Sequence, residues 1–346
     1  GGTAGHVLPA LAVADALTER GVHVTFAGSP DRVEARLVPE AGYELDTFRV
    51  AGFPRRPSAA LARSLMLAAA APRACRRILR ARRPDVVLGG GGFVAGPMVL
   101  AASTLGIPTA LTEADAHLGL ANRLAAPFAK RLFLAYPIET RHRGKARVVG
   151  RPLPSRREPV SQQEGREVFE LPQDGVVLGV FGALAGATTL NEFVVETWGE
   201  RGPAILHQTG KRDYALVKKR VRRPDYRVID ETDRFAAALA ACDLVLARSG
   251  STVWEIAAAG RPAILVPYPF ATADHQARNA EHFVRAGGAI MVRELDLADV
   301  PELVRSLLDD PERRQKMSEA MLRAARPDAA AEIADELIAM AQNPAK

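Results

Sequence analysis

The amino-acid sequence predicts an α/β fold made of two doubly wound, Rossmann-like halves. Short apolar runs without polar alternation are typical of buried parallel strands, and they alternate with Ala- and Leu-rich helical stretches. Several of these runs end in glycine-rich turns that lead into a helix. The length of 346 residues suffices for two domains, and contents of 48% hydrophobic and 25% charged residues are ordinary for a globular protein.

Eleven apolar runs are predicted as strands. They are residues 22–28, 84–90, 108–113, 130–136 and 146–150 in the first half, and 175–182, 203–210, 226–230, 242–250, 261–269 and 288–292 in the second. A stretch rich in Pro and charge, residues 150–165, predicts a linker between the halves. We therefore predict an N-terminal domain over 1–152, a C-terminal domain over 153–325, and a final helix over 326–346 that packs back toward the N-terminal domain.

The first glycine loop is GGTAGH, residues 1–6, and a helix is expected from about Val7, with Pro9 in its first turn. Exposed backbone amides at such a loop suit a phosphate group. In a doubly wound sheet the first loop follows a central strand. The sequence therefore predicts that an apolar strand of about 5–10 residues belongs before Gly1 and that this chain is a fragment. The alternative is a loop that lies free at a natural terminus.

Two further loops repeat this design. LGGGGFVAGP, residues 88–97, follows a predicted strand and predicts a second cradle of amides, unless it is only a flexible turn. FGALAGATTLNE, residues 181–192, has the same strand–glycine–helix order in the second half.

The second half also carries polar side chains suited to a nucleotide sugar. In ARSGSTVWEIAAAGRP, residues 247–262, Glu255 falls in the first turn of a helix, where it either caps the helix or accepts hydrogen bonds from ribose hydroxyls. In the run 266–280, Gln276 and Asn279 are three residues apart and share a helix face. Their amide groups suit the neutral hydroxyls of a sugar.

Taken in order, six stretches resemble the MurG family, over essentially the whole chain. They are GGTAGHVLPALAVADAL, DVVLGGGGFVAGP, GIPTALTEADAHLGLANRLAAPFA, HQTGK, RSGSTVWEIAAAGRPAILVPYP and DHQARNA. The resemblance implies a GT-B fold, in which two Rossmann-like domains face a cleft. It also implies an inverting transfer of N-acetylglucosamine (GlcNAc) from UDP-GlcNAc to undecaprenyl-diphosphate N-acetylmuramoyl-pentapeptide, with neither cofactor nor metal.

The resemblance further implies three groups of site residues. Candidate catalytic residues are His6, Glu113 and Asp115. Candidate donor-binding residues are Gly182, Ala183, Gly186, Arg248, Ser249, Gly250, Ser251, Thr252, Glu255, His275, Gln276 and Asn279. Candidate acceptor-binding residues are Gly2, Thr3, Gly5, His6, Gly90, Gly91, Gly92 and Asn122. The chain departs from the family pattern at residues 182–187, which read GALAGA instead of GGS-x-GA, and at residues 112–115, which read TEAD instead of HEQN.

Charge points to an anionic partner, since the net charge is +6. Residues 55–83 hold nine arginines and no acid, and Arg73, Arg76, Arg77 and Arg80 fall on one helix face next to an apolar stretch. The basic and apolar segment 61–83 predicts contact with an anionic membrane surface, in line with a peripheral protein at the cytoplasmic face of the bacterial inner membrane. A solvated basic face is the alternative, and the segment lacks the interleaved aromatics of a nucleic-acid site.

Other functions stay open at the level of sequence. A UDP-sugar 2-epimerase of the same fold would need catalytic acids in its cleft, and another GT-B transferase would differ in its acceptor. The third alternative is a truncated, non-catalytic binder of UDP-sugar or lipid.

Overall fold

The structure is a computed structural model that describes residues 4–50, 59–154, 160–182 and 187–343. It divides into two compact units. Unit 1 comprises residues 1–155 together with 327–346, and unit 2 comprises residues 156–326. The boundaries predicted from the sequence were 152/153 and 325/326.

Unit 1 alternates strands and helices in the predicted order. Its elements are α1 (Ala4–Glu19), β1 (Thr25–Gly28), α2 (Glu34–Glu40), β2 (Glu44–Thr47), α3 (Ala59–Arg82), β3 (Val87–Gly89), α4 (Gly92–Thr104), β4 (Thr109–Glu113), α5 (Leu120–Ala125), β5 (Arg131–Leu134) and β6 (Ala146–Val148). All pairings are parallel. Among the described residues they form two separate sheets, β1-β2 and β3-β4-β5-β6.

The described residues of unit 2 form one six-stranded parallel sheet. Its elements are α6 (Gln162–Val168), β7 (Val177–Phe181), α7 (Thr188–Trp198), β8 (Ala204–Gln208), α8 (Lys211–Arg220), β9 (Tyr226–Ile229), α9 (Phe235–Ala241), β10 (Leu244–Ala247), α10 (Val253–Ala258), β11 (Ala263–Leu265), α11 (His275–Arg285), β12 (Ala289–Met291), α12 (Val300–Leu308) and α13 (Pro311–Ala324). The strand order is β12-β11-β10-β7-β8-β9, so the first strand of the unit, β7, is central. This is the doubly wound Rossmann order.

The last helix, α14 (Ala329–Gln342), packs on unit 1. Its buried side chains Ile333, Ala334 and Leu337 join Val13 and Leu17 of α1 in one apolar cluster. The helix α14, which follows unit 2 in the sequence, thus contributes to the core of unit 1.

All eleven predicted strands are present, each shorter than its apolar run. The structure adds β2, a four-residue strand with the sequence ELDT that the sequence analysis missed because it is polar and lies at a sheet edge. The predicted start of one helix was wrong. α1 begins at Ala4 rather than near Val7, so Pro9 lies in its second turn instead of its first.

Candidate functional site

The glycine run after β3 is shaped to receive His6. Gly91 and Gly92 have φ values of +84° and +71°, which favour glycine, and α4 begins at Gly92. A Cβ atom on Gly91 would lie 2.7 Å from Cδ2 of His6, so a larger residue would displace the imidazole. Glycine at position 91 therefore lets the imidazole of His6, on α1, lie against the loop that follows β3.

His6 lines a small pocket in unit 1 together with Gly90, Thr112, Glu113 and Gly150. Burial lowers the pKa of its imidazole from 6.5 to about 4. Arg151 acts in the same direction, whereas the carboxylate of Asp115 raises the pKa. His6 is consequently neutral near pH 7, which leaves a ring nitrogen able to accept a proton.

Arg151 joins two of the loops around His6. Pro9 has no N–H, so the carbonyl of Gly5 lacks the helical partner four residues later. Arg151 Nη2 donates to that carbonyl at 2.6 Å, and Nη1 donates to the carbonyl of Ala114 at 3.4 Å. With only 4% of its surface exposed, Arg151 places a buried positive charge beside the first glycine loop.

Glu113, at the end of β4, organises the turn that follows it. Its carboxylate accepts hydrogen bonds from the backbone amides of Asp115 (3.3 Å) and Gly119 (2.9 Å) and from Nδ2 of Asn122 (2.9 Å). Asn122 Nδ2 also donates to the carbonyl of Thr112 at 2.9 Å. Burial raises the pKa of Glu113. These contacts are those of a side chain that holds a loop in place.

In unit 2, α11 meets the loop that follows β10. Asn279 is buried, and its Nδ2 donates to the carbonyl of Ser249 at 3.3 Å. Gln276 Oε1 accepts from the amide of Tyr268 at 2.9 Å, and its Nε2 lies 3.8 Å from where a Cβ on Gly250 would stand. Asn279 thus holds α11 against the loop after β10, and Gln276 holds it against the segment after β11.

Arg248 is directed into the protein. It forms a buried ion pair with Glu294 and donates to the carbonyls of Val266 (3.3 Å) and Pro267 (3.2 Å). Its guanidinium also lies 5.7 Å from the ring centre of Tyr268. These contacts hold the 266–268 segment, which in turn contacts Gln276.

A buried polar network supports the starts of α7 and α8. Asn191 Nδ2 donates to Asp213 and to the carbonyl of Thr209, so its Oδ1 accepts from Nε2 of His207 at 2.9 Å. Nδ1 of His207 then accepts from the hydroxyl of Tyr226 at 2.8 Å. Full burial lowers the pKa of His207 to about 3 and keeps it neutral.

The structure brings the predicted residues together in two clusters. One, in unit 1, contains Gly5, His6, Gly90, Gly91, Gly92, Glu113, Asp115 and Asn122. The other, in unit 2, contains Ser249, Gly250, Ser251, Thr252, Glu255, His275, Gln276 and Asn279, with Arg248 beneath it and Gly182 at the end of β7. Gly2, Thr3, Ala183 and Gly186 lie outside the described residues.

Sequence reasoning missed Arg151, which it placed within the linker. The signal was the proline at position 9 of the helix, which leaves one backbone carbonyl without its helical donor, but the sequence does not say which donor reaches it.

Within the described ranges no group of three His, Cys, Asp or Glu side chains could hold a metal ion, and no helix is long and apolar enough to cross a membrane.

Two family models match the chain. Residues 1–134 match the glycosyltransferase family 28 N-terminal domain, and residues 177–333 match the glycosyltransferase family 28 C-terminal domain. Together the matches cover most of both units.

Curated relatives match over nearly their full length. A protein of Acidithiobacillus ferrooxidans is 45% identical over 96% of this chain and 94% of its own, and one of Halothermothrix orenii is 37% identical over 94% of each. Both are named UDP-N-acetylglucosamine–N-acetylmuramyl-(pentapeptide) pyrophosphoryl-undecaprenol N-acetylglucosamine transferase.

Solved structures agree on the fold. Acinetobacter baumannii MurG is 26% identical, with a TM-score of 0.80 over 98% of this chain and 97% of its own. The UDP-GlcNAc 2-epimerase of Neisseria meningitidis has a TM-score of 0.67 over 96% of each chain, but at 13% identity it shows the fold alone.

Proposed function

The chain belongs to the MurG family within glycosyltransferase family 28, and from this membership we propose that it transfers GlcNAc in peptidoglycan synthesis. The donor is UDP-GlcNAc, and the acceptor is undecaprenyl-diphosphate N-acetylmuramoyl-pentapeptide. The observation that carries the proposal is the 45% identity over nearly the full length of a curated relative with this named activity.

The donor binds unit 2 in this proposal. Backbone amides of the loop Ser249–Thr252 receive the diphosphate, and Glu255 accepts hydrogen bonds from the ribose hydroxyls. Gln276 supplies amide contacts to the GlcNAc hydroxyls, while Asn279 holds α11 against the carbonyl of Ser249. When UDP leaves, the backbone amides of the loop Ser249–Thr252 stabilise the charge that develops on its diphosphate.

The acceptor binds unit 1, with its diphosphate at the glycine loops and near the buried charge of Arg151. We assign the role of base to His6, because Glu113 is already committed to three donors of its own turn. His6 takes the proton from the C4 hydroxyl of the muramoyl sugar as that oxygen attacks the anomeric carbon. A nearby diphosphate raises the pKa of the imidazole, which makes the neutral ring a better base in the complex.

The membrane contact is made by α3. Arg73, Arg77 and Arg80 are exposed, whereas Arg76 turns aside and its guanidinium donates to Thr104 Oγ1 at 3.0 and 3.1 Å. Three exposed guanidinium groups along one side of a helix suit the anionic surface of a bilayer in which the acceptor lipid is held. These exposed arginines support the proposal of a peripheral protein at the cytoplasmic face of the membrane.

The test is transfer of labelled GlcNAc from UDP-GlcNAc to the lipid-linked muramoyl-pentapeptide acceptor without added metal. Transfer is expected with the parent chain and is expected to be lost with Glu255→Ala. Glu281→Gln is the matched control, because Glu281 is on the neighbouring helix α11 and only pairs with Arg285 at the surface. If Glu281→Gln loses transfer to the same extent as Glu255→Ala, the assignment of Glu255 to the donor site is contradicted.

The assay also separates the other enzymes of this fold. A 2-epimerase would convert UDP-GlcNAc without acceptor into the UDP-sugar inverted at C2, whereas a transferase with a different acceptor would bind UDP-GlcNAc and leave the muramoyl lipid unchanged. Either result would overturn the proposal.

A further inference from the structure

The side chain of Gln276 has one fixed orientation. Its Oε1 accepts a hydrogen bond from the backbone amide of Tyr268 at 2.9 Å. Since a glutamine side chain carries its acceptor on Oε1 and its two donors on Nε2, this contact decides which atom faces the other way. Nε2 lies 3.8 Å from where a Cβ atom on Gly250 would stand, in the loop after β10. Gln276 therefore presents hydrogen-bond donors, rather than an acceptor, toward that loop.

Arg248 holds the backbone that fixes Gln276. Its guanidinium donates to the carbonyls of Val266 (3.3 Å) and Pro267 (3.2 Å). The same group lies 5.7 Å from the ring centre of Tyr268. One side chain thus contacts three consecutive residues, the last of which supplies the N–H that Gln276 accepts. A displaced Arg248 would release that N–H and, with it, the orientation of the Gln276 amide.

Glu294 in turn holds Arg248. It follows β12, 46 positions further along the chain, and its carboxylate forms an ion pair with the guanidinium. The side chains of Arg248 and Glu294 are only 6% and 18% exposed. Removing one partner of a buried ion pair is costly, because the other charge is left buried and uncompensated. Without the Glu294 carboxylate, Arg248 therefore loses the reason to stay on the carbonyls of Val266 and Pro267.

We propose that Glu294 is a positioning residue for the sugar of the donor. It acts through Arg248 and the segment 266–268, and it sets the direction in which Gln276 offers its N–H groups. The hydroxyl oxygens of a sugar accept hydrogen bonds from such donors, so this chain of contacts serves the GlcNAc part of UDP-GlcNAc and not the UDP part. The inference rests on the proposed function, in which unit 2 binds UDP-GlcNAc.

The experiment compares the Kd of the whole chain for UDP-GlcNAc with its Kd for UDP, both measured by titration calorimetry. Glu294→Gln keeps the size of the side chain and removes its charge. We expect this variant to bind UDP-GlcNAc about three- to tenfold more weakly, which is the effect of one hydrogen bond, and to bind UDP as the parent does. Gln276→Leu should give the same pattern, because it removes the amide itself.

A double variant that carries Glu294→Gln and Gln276→Leu tests whether the two residues belong to one chain of contacts. If they do, the double variant binds UDP-GlcNAc as weakly as Gln276→Leu alone, since the second substitution has no contact left to remove. Losses that multiply would show that Glu294 acts by another route and would overturn the proposal.

The matched control is Asp243→Asn. Asp243 pairs with Arg166 of the same unit at 2.9 Å, and these side chains are 20% and 5% exposed. Asp243 precedes the first residue of β10, whereas Arg248 follows the last one. The control therefore removes a similarly buried charge without contacting the 266–268 segment, and the ratio of the two Kd values should stay as in the parent. If the control changes that ratio as Glu294→Gln does, lost stability of unit 2 explains both variants and the proposal is wrong.

The two ligands also separate this inference from the proposed function. A parent chain that binds neither UDP-GlcNAc nor UDP would contradict the proposed function and the inference with it. A parent that binds both, combined with a Glu294→Gln variant that weakens both equally or neither, would contradict the inference alone.

Discussion

His6 shows how one glycine and one proline prepare a side chain for chemistry. The absent Cβ of Gly91 lets the imidazole lie against the loop after β3, and the absent N–H of Pro9 lets Arg151 bind the carbonyl of Gly5 next to it. Burial then lowers the pKa of His6 to about 4. The neutral ring is thus available over the whole neutral range.

This gives a prediction for the pH dependence of transfer. The base form of His6 is present above its pKa, so the acid limb of kcat/KM, which reports the free enzyme, should lie near pH 4. The acid limb of kcat should lie at higher pH, because the bound diphosphate raises the pKa. His6→Gln should lower kcat by about 10²–10⁴-fold and remove both limbs. An acid limb of kcat/KM near 6.5 would contradict the buried, neutral state of His6.

His207 is a second buried histidine, with a structural role. Its pKa is about 3 in the folded protein and 6.5 as the ordinary value, so the unfolded chain binds more protons between these limits. The contribution of neutral His207 to the free energy of unfolding should therefore be complete above pH 6.5. It should decrease as the pH falls from 6.5 toward 3, by up to about 1.4 kcal/mol per pH unit. Urea unfolding at pH 7 and pH 4.5 measures this.

The matched variant for this prediction is His207→Gln. Its amide can still donate to Asn191 Oδ1 but does not titrate, so it should be less stable at pH 7 and lose less stability on acidification than the parent. A parent and variant with the same pH dependence would show that His207 is not the group responsible.

At the scale of elements, the sequence predicts buried strands much better than edge strands. Runs such as residues 175–182 are apolar throughout, because β7 is covered on both faces, and they were predicted. The strand β2 has the sequence ELDT, and its four residues are exposed or only partly buried, so neither its composition nor its alternation indicates a strand. Only pairing with β1 defines it.

The same distinction applies to the site. Glycine loops and helical spacing predicted that Gly91, Gln276 and Asn279 would be site residues, because these signals are local. Arg151 and Glu294 could not be predicted, because their partners lie 146 and 46 positions away in the chain. Long-range contacts of this kind depend on the tertiary fold.

The helix α3 carries a prediction at this scale. Replacing Arg73, Arg77 and Arg80 with Gln should weaken binding to vesicles that contain anionic lipid by about 3 kcal/mol, or roughly 100-fold, given about 1 kcal/mol for each basic residue at the surface. Vesicle sedimentation at low and high salt measures the loss, which should shrink as salt screens the charges.

The control for α3 replaces Arg285, Arg305 and Arg323, which are exposed on α11, α12 and α13 of unit 2. This variant has the same net charge but keeps the α3 surface. If both triple variants lose vesicle binding equally, net charge alone drives the attraction and α3 is not the contact.

At the scale of the whole molecule, the chain uses the same fold in two ways. Both units place glycine-bearing loops at the carboxyl ends of parallel strands, where doubly wound folds bind their ligands. Unit 1 adds an imidazole and a buried guanidinium to these loops, whereas unit 2 adds amide side chains and a carboxylate. The difference suits an acceptor that must be deprotonated in one unit and a sugar that must be held by its hydroxyls in the other.

This division predicts where UDP-GlcNAc alone acts. At about 100 times its Kd the donor should stabilise the folded state by about 2.7 kcal/mol, and this effect should be confined to the unit that binds it. Hydrogen exchange should therefore slow over residues 249–255 and 275–279 and stay unchanged over 87–92 and 112–122. Glu255→Ala should remove the protection, whereas His6→Gln should keep it. If UDP-GlcNAc protects residues 87–92 and leaves residues 249–255 unprotected, the donor binds unit 1. That result would overturn the assignment of donor and acceptor to the two units.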